Sequence, residues 1–197
     1  ESKKSEVGRL ALVLMCDSSG SMIEYNGRPL MNAAHFITLF GEAVKQVPGC
    51  EVYVYTHADK VNKVVTDKEW IKNKTRIGEA FKSQYANGCQ NELRSYKIII
   101  DDVRKQTKLP ILGINFGDTE YGCSPEEIKS CVEDLKMNSN CIMTVFNTGS
   151  SENKEENEYI YGEGNFIFMN SVIQSEVNKA IDKLANIIKR EYNKHKK

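Results

Sequence analysis

The chain is 197 residues long and carries 27 basic and 27 acidic side chains, so its formal net charge is zero. That balance argues against a nucleic-acid-binding protein, which would need a strongly positive field. Hydrophobic residues make up 40% of the chain, enough for one full core, and we expect residues 1–197 to form a single domain. No stretch approaches the roughly 18 apolar residues that a membrane-spanning helix needs.

The cysteines and the first residue bear on where the protein works. Six cysteines are scattered without the CxxC pairs or matching histidine spacing of a zinc site, which favours free thiols in a reducing compartment. The sequence opens at Glu1 without the pattern of a signal peptide. We therefore expect a cytoplasmic protein, and we interpret the chain as a fragment of a longer one.

The first predicted element is an apolar strand over residues 10–17. A Ser- and Gly-rich turn follows, and residues 27–47 then show the three-four apolar spacing of a long helix, with Pro29 in its first turn. Residues 51–57 form a β-branched and aromatic second strand. Residues 61–65 follow so closely that the two strands are expected to pair antiparallel.

The middle of the chain is harder to interpret. Residues 67–86 are polar and fit one or two short helices, which Trp70 and Phe81 would anchor to the core. A loop over residues 87–91 then leads into an amphipathic helix. The apolar face of that helix contains Leu93, Tyr96, Ile100 and Val103.

The second half of the chain alternates strands and helices. Residues 109–116 form a central strand, and residues 124–127, Ser-Pro-Glu-Glu, carry the full chemistry of a capping box at a helix start. Residues 141–146 form a fifth strand, residues 148–158 a charged and solvated loop, residues 165–169 a last strand, and an amphipathic helix follows. This alternation predicts an α/β fold with a mostly parallel sheet covered on both faces.

Two loops carry acidic side chains at the carboxyl ends of predicted strands. The first holds Asp17, Ser19 and Ser21 in the pattern DxSxS, and the second holds Asp118 after the fourth strand. If those strands are neighbours where the strand order reverses, the two carboxylates can face one cation. Carboxylates and hydroxyls are hard oxygen ligands of the kind that Mg²⁺, Mn²⁺ or Ca²⁺ takes. The alternative is a simple turn in which Asp17 caps the next helix.

These residues resemble the von Willebrand factor type A (vWA) family, whose metal ion-dependent adhesion site (MIDAS) combines DxSxS, a middle-loop Thr or acidic residue, and an Asp after the fourth strand. The sequence matches the first part at Asp17, Ser19 and Ser21, and the third at Asp118. The resemblance implies a Rossmann-like three-layer fold with one short antiparallel edge strand. It also implies that an acidic group of a partner protein completes the metal's coordination.

The middle loop departs from the family pattern. It contains neither Thr nor Asp, and Cys89 stands where the ligand would align, although a thiolate is a poor ligand for a hard cation. Gln90 and Asn91 offer neutral amide oxygens instead. An equally open interpretation is that Asn91 simply caps the helix that follows.

One branch of the family resembles the chain more closely in short stretches. Gly27-Arg28-Pro29 followed by Ala33-Ala34, and the spacing from Asn87 to Leu93, are similar to the vWA domain of cobalt-chelatase large subunits, which work with a ring-forming AAA+ ATPase. The hypothesis is therefore a non-enzymatic, metal-dependent protein-binding module, with an AAA+ ATPase as a candidate partner. Two alternatives are a degenerate domain that binds without metal and a Mg²⁺-dependent hydrolase.

Overall fold

Six strands and seven α-helices alternate along the chain in a computed structural model that describes residues 9–82, 88, 91–169 and 174–194. The strands are β1 (Leu10–Asp17), β2 (Cys50–His57), β3 (Val61–Val65), β4 (Ile111–Gly117), β5 (Cys141–Asn147) and β6 (Phe166–Phe168). The helices are α1 (Glu24–Lys45), α2 (Trp70–Asn73), α3 (Arg76–Ala80), α4 (Glu92–Arg104), α5 (Pro125–Ser139), α6 (Lys154–Tyr161) and α7 (Gln174–Lys194). None of the described helices is long and apolar enough to cross a membrane.

The strands form one sheet in the order β3-β2-β1-β4-β5-β6. Every neighbouring pair is parallel except β2 and β3, which pair antiparallel at the edge, as predicted. The chain moves outward from β1 to β2 and then crosses to the other side at β4. The strand order thus reverses between β1 and β4, and the carboxyl ends of these two strands lie side by side.

Helices cover both faces of the sheet, and a hydrophobic core lies on each side. Alternate side chains of β1 enter the two cores because successive residues of a strand point to opposite faces. One core packs β1 against α1, α2, α3 and α7, and the other packs it against α4, α5 and α6. β1 is buried along its whole length, which fits its position in the middle of a two-sided sheet.

Helix α1 begins earlier than the sequence pattern predicts. A 3₁₀ turn over Gly20–Ile23 continues directly into α1 at Glu24, so Pro29 lies inside the helix and not in its first turn. The carbonyl of Pro29 accepts a hydrogen bond from the Thr148 hydroxyl at 3.2 Å. The start of α1 is therefore held by the loop that follows β5.

The prediction of a solvated loop over residues 148–158 is wrong in its second half, where α6 begins at Lys154. The charged residues occupy the exposed side of α6, while Asn157 and Ile160 are buried. The amide of Asn157 donates to the backbone oxygen of Asn153 at 2.8 Å. The charged stretch ends at residue 158, whereas the buried residues of α6 continue to Tyr161. The charged residues alone therefore gave no sign of an amphipathic helix.

Trp70 and Phe81 are both buried, which confirms their predicted role as anchors. The six-membered ring of Trp70 lies directly against Gly41 of α1: a Cβ added at Gly41 would stand 2.0 Å from the nearest ring atom. The indole Nε1 of Trp70 also donates to Glu42 at 3.0 Å. Gly41 is therefore required so that the indole ring can approach α1.

We expect Gly41→Ala to lower the free energy of unfolding by about 1–3 kcal/mol, because the added methyl group overpacks the indole. Gly78→Ala is the matched control, since Gly78 is also helical and a Cβ there meets nothing within 4 Å. The control should be neutral or stabilising by about 0.5–1 kcal/mol, the usual gain from Gly to Ala in a helix. Urea denaturation measures both, and equal effects of the two substitutions would contradict the packing argument.

Candidate functional site

Three loops meet at the carboxyl edge of the sheet. The loop after β1 carries Asp17, and the loop after the adjacent β4 carries Asp118. The middle loop joins them at Gly88, whose carbonyl accepts a hydrogen bond from the Gly20 backbone at 3.3 Å. The first loop is also tied to β2, because the Ser18 backbone N–H donates to the His57 carbonyl at 2.8 Å. The two acidic loops therefore leave the sheet at the same edge, from the neighbouring strands β1 and β4, which is the condition that the sequence argument set.

The DxSxS loop presents its oxygens together. Asp17 is fully buried, and its Oδ1 accepts a hydrogen bond from the Ser19 backbone N–H at 2.7 Å. Its other oxygen, Oδ2, is buried and has no hydrogen-bond partner among the residues that the structure describes. The Ser19 and Ser21 hydroxyls lie 3.1 Å apart. Burying a carboxylate oxygen without a hydrogen-bond donor costs folding free energy, and either a proton or a bound cation would remove that cost.

Asp118 is held in a strained and closely packed loop. Its Oδ1 accepts from the Glu120 backbone N–H at 3.0 Å. The next residue, Thr119, has a φ of 60°, which is rare for a β-branched residue. The Thr119 hydroxyl accepts from Asn147 at 2.9 Å, and a Cβ on Gly149 would stand 2.7 Å from the Asp118 carbonyl oxygen. These contacts fix the direction of the Asp118 backbone.

The electrostatics of the site disfavour a bare carboxylate at Asp17. Burial, followed by the negative charge of Asp118, raises the pKa of Asp17 from 3.8 to about 7, although hydrogen bonds from Ser19 oppose the shift. In the described part of the chain, no salt bridge reaches Asp17 or Asp118. The two acidic residues therefore lack a protein counter-charge among the described side chains.

His57 lies beneath the site. It is the register partner of Asp17 in the parallel β1–β2 pair, and it is fully buried. Its Nε2 lies 2.7 Å from the amide oxygen of Asn115. Because that oxygen only accepts, Nε2 carries the proton. Nδ1 keeps a lone pair, for which the described residues offer no hydrogen-bond donor. Burial lowers the pKa of His57 from 6.5 to about 4, so the ring is neutral.

Glu92 is a site residue that the sequence reasoning missed. It occupies the first turn of α4, directly after the middle loop, and is fully buried. One carboxylate oxygen accepts from the Gly122 backbone N–H at 3.1 Å, whereas the other is buried and has no hydrogen-bond partner in the described part of the chain. The only sequence signal was its position beside the loop, because a Glu in the first turn of a helix is usually exposed and helix-stabilising.

Of the middle-loop residues that were considered as ligands, the structure describes Asn91. Asn91 caps α4: its side-chain oxygen accepts from the Arg94 backbone N–H at 3.0 Å, the alternative left open by the sequence. Cys89 and Gln90 lie outside the described residues. Metal ligation by Gln90 or Asn91 stays a prediction.

The donors that do come together suit a hard cation. Asp17, Ser19, Ser21 and Asp118 offer oxygen atoms only, and the unpartnered Asp17 oxygen is an available ligand. Among the described residues, no three His, Cys, Asp or Glu side chains are grouped to bind one ion directly. A cation here would therefore depend on the serine hydroxyls and on water as well as on the carboxylates.

Comparisons with known proteins show the fold. No protein-family model matches the chain, and a search of curated proteins finds no match. Among solved structures, the protein is similar to BatB from Bacteroides thetaiotaomicron, with a TM-score of 0.65 and 13% identity over 92% of this chain and 100% of that one. It is also similar to the SpRpn10 VWA domain, with a TM-score of 0.63 and 11% identity over 88% of this chain and 95% of that one.

A third similar structure is the manganese-loaded TRAP protein of Plasmodium vivax, with a TM-score of 0.64 and 15% identity over 90% of this chain and 72% of that one. These identities are too low to transfer a function. Together with the strand order, they show that the chain has the Rossmann-like fold of vWA domains.

Proposed function

We propose that the protein is a binding module that holds a divalent cation on Asp17, Ser19, Ser21 and Asp118 and recruits an acidic residue of a partner protein. The observation that carries this proposal is the buried, unpartnered oxygen of Asp17 beside a second carboxylate at the switch point of the sheet. A cation at this place would supply the counter-charge that the described side chains do not provide.

The proposed cation is Mg²⁺ or Mn²⁺, with Ca²⁺ as a further candidate, because all three take oxygen ligands. Two carboxylates and two hydroxyls do not fill the six positions around such an ion, so water would occupy the rest. An Asp or Glu of the partner would replace one of those waters. TRAP, a similar structure, is manganese-loaded, which supports a metal at this site.

We propose binding and not catalysis for this edge. The one histidine beneath it is buried, neutral and engaged with Asn115, so it is poorly placed as a general base. The resemblance to chelatase subunits leads us to propose an AAA+ ATPase as the partner, in the cytoplasm. Turnover of phosphoester substrates with Mg²⁺ would instead favour the hydrolase alternative.

The metal is tested by following thermal unfolding while Mg²⁺ or Mn²⁺ is added. A ligand that binds only the folded state raises its stability by about 2.7 kcal/mol at a concentration of 100 times its Kd, so the midpoint should rise with concentration. Ca²⁺ in parallel shows the cation preference. An unchanged midpoint with all three ions would favour a degenerate domain that binds without metal.

The acidic ligand is tested on an array of peptides that each carry one Asp or Glu and have amidated ends. We expect binding in Mn²⁺ that disappears in EDTA and in the Asp17→Ala variant, while peptides with Asn or Gln at the same place do not bind. Circular dichroism confirms that the variant stays folded. Binding that survives both EDTA and the substitution would end the metal mechanism.

A further inference from the structure

Among the described side chains near the site, Glu92 is the fully buried carboxylate that the proposed ligand set does not use. Its neighbour in the chain, Asn91, is exposed, and the side-chain oxygen of Asn91 accepts the hydrogen bond that caps α4. Glu92 instead turns inward: one oxygen accepts from the Gly122 backbone N–H, and the other meets no hydrogen-bond partner of standard geometry among the described residues. The Cys123 thiol lies nearby, since burial and then the Glu92 carboxylate raise its pKa, but a thiol is a weak donor and leaves room for a stronger one. Burying an ionised carboxylate without a partner costs on the order of several kcal/mol of folding free energy. We therefore looked for a group that could donate a hydrogen bond to this oxygen of Glu92.

The packing of α4 against the sheet places Glu92 on the same side of the sheet as Asp17. Tyr96 stands four residues further along α4 and therefore lies on the same helix face as Glu92. The ring of Tyr96 meets the edge of the His57 ring, with centroids 6.0 Å apart. His57 in turn is the register partner of Asp17. Consistent with this placement, burial and the charge of Asp118 raise the pKa of Asp17, and the charge of Glu92 adds a smaller contribution in the same direction.

Glu92 also connects two of the three loops of the site. It begins α4 directly after the middle loop, and its bond to Gly122 fastens it to the loop that carries Asp118. Among the described residues no three acidic side chains are grouped around one ion, so Glu92 is not within direct-ligand distance of an ion that Asp17 and Asp118 would share. A water bound to the cation would bridge that distance and satisfy the free oxygen.

We propose that Glu92 is an outer-sphere ligand of the cation, whose free carboxylate oxygen accepts a hydrogen bond from a metal-bound water. This inference rests on the proposed function and deepens it. Glu92 would provide, from the helix, the negative charge that the middle loop lacks, because that loop contains neither Thr nor Asp. Since it stays outside the first coordination layer, Glu92 leaves a position open for the acidic residue of the partner.

The test compares two substitutions with opposite logic, using Mn²⁺ and Mg²⁺ alone as probes in calorimetric titrations. Glu92→Gln keeps the shape and the acceptor for Gly122 but removes the charge. Glu92→Asp keeps the charge but shortens the side chain. We expect Glu92→Gln to weaken metal binding by about 10–100-fold, the usual range for residues that hold a metal's outer shell. Glu92→Asp should keep more of the affinity than Glu92→Gln.

Glu126→Gln is the matched control, because Glu126 lies in the first turn of α5 but is exposed. It removes the same helix-terminal charge and should leave metal affinity within about twofold. If Glu92 only fastened the loops, Glu92→Gln would bind metal like the wild type and Glu92→Asp would be the weaker variant. That ordering overturns the inference. A wild-type chain that binds neither ion removes the proposed metal function itself, which is a separate and distinguishable result.

Discussion

The Asp17→Asn variant is expected to bind neither Mg²⁺ nor Mn²⁺ measurably and, in EDTA, to gain stability relative to the wild type as the pH rises. The folded state raises the pKa of Asp17 from 3.8 to about 7, so the folded wild type holds a proton that the unfolded chain has released. Stability from this group is complete below pH 3.8 and is lost as the pH rises through 7. Asparagine does not titrate and avoids that loss.

The quantity to measure is the difference in unfolding free energy between the variant and the wild type. Between about pH 4 and pH 8 it should shift by up to about 4 kcal/mol in favour of Asp17→Asn, since each pKa unit corresponds to about 1.4 kcal/mol. Urea denaturation in EDTA across this range provides the values. Parallel pH profiles for the two proteins would show that the pKa of Asp17 is not raised in the folded state.

His57→Gln is expected to have the opposite pH dependence. Burial lowers the pKa of His57 from 6.5 to about 4. Between these two pH values the histidine is protonated in the unfolded chain but neutral in the folded one. Stability from the neutral ring is present above pH 6.5 and is lost as the pH falls toward 4. Glutamine can still donate to the Asn115 oxygen but does not titrate.

Between about pH 7 and pH 4, the wild type should lose up to about 3 kcal/mol more stability than His57→Gln. Any packing defect of the variant shifts its whole profile equally and leaves this slope intact. His35→Gln is a suitable control, because His35 lies in the middle of α1 and is exposed. A wild-type slope equal to that of His57→Gln would mean that the buried ring titrates normally.

Much of the fold could be predicted from local patterns. The apolar run of β1, the capping box at Ser124 and the aromatic alternation of β2 each specify their element with nearby residues. The position of Asp17 and Asp118 at one edge also followed, because parallel strands bring their carboxyl ends together. The helix α6 escaped prediction, since its buried side depends on contacts with the body of the domain and not on its charged first turn.

The floor of the candidate site could not be predicted, for a physical reason. The burial of His57 depends on pairing with Asn115, a residue 58 positions away, and on the cover provided by Tyr96. Glu92 has the same character: in the sequence it is an ordinary acidic helix start, and only the packing of α4 turns it inward. The burial of such side chains depends on residues far away in the sequence, so local sequence patterns do not predict it.

Anomalous diffraction from crystals grown with Mn²⁺ tests the central claim most directly. We expect one strong peak at the carboxyl edge of β1 and β4, within about 2.0–2.6 Å of oxygens from Ser19, Ser21 and at least one of Asp17 and Asp118. A bridging water between that ion and Glu92 would support the outer-sphere role as well. Crystals with no manganese at this edge, or with manganese bound only elsewhere on the chain, would contradict the account.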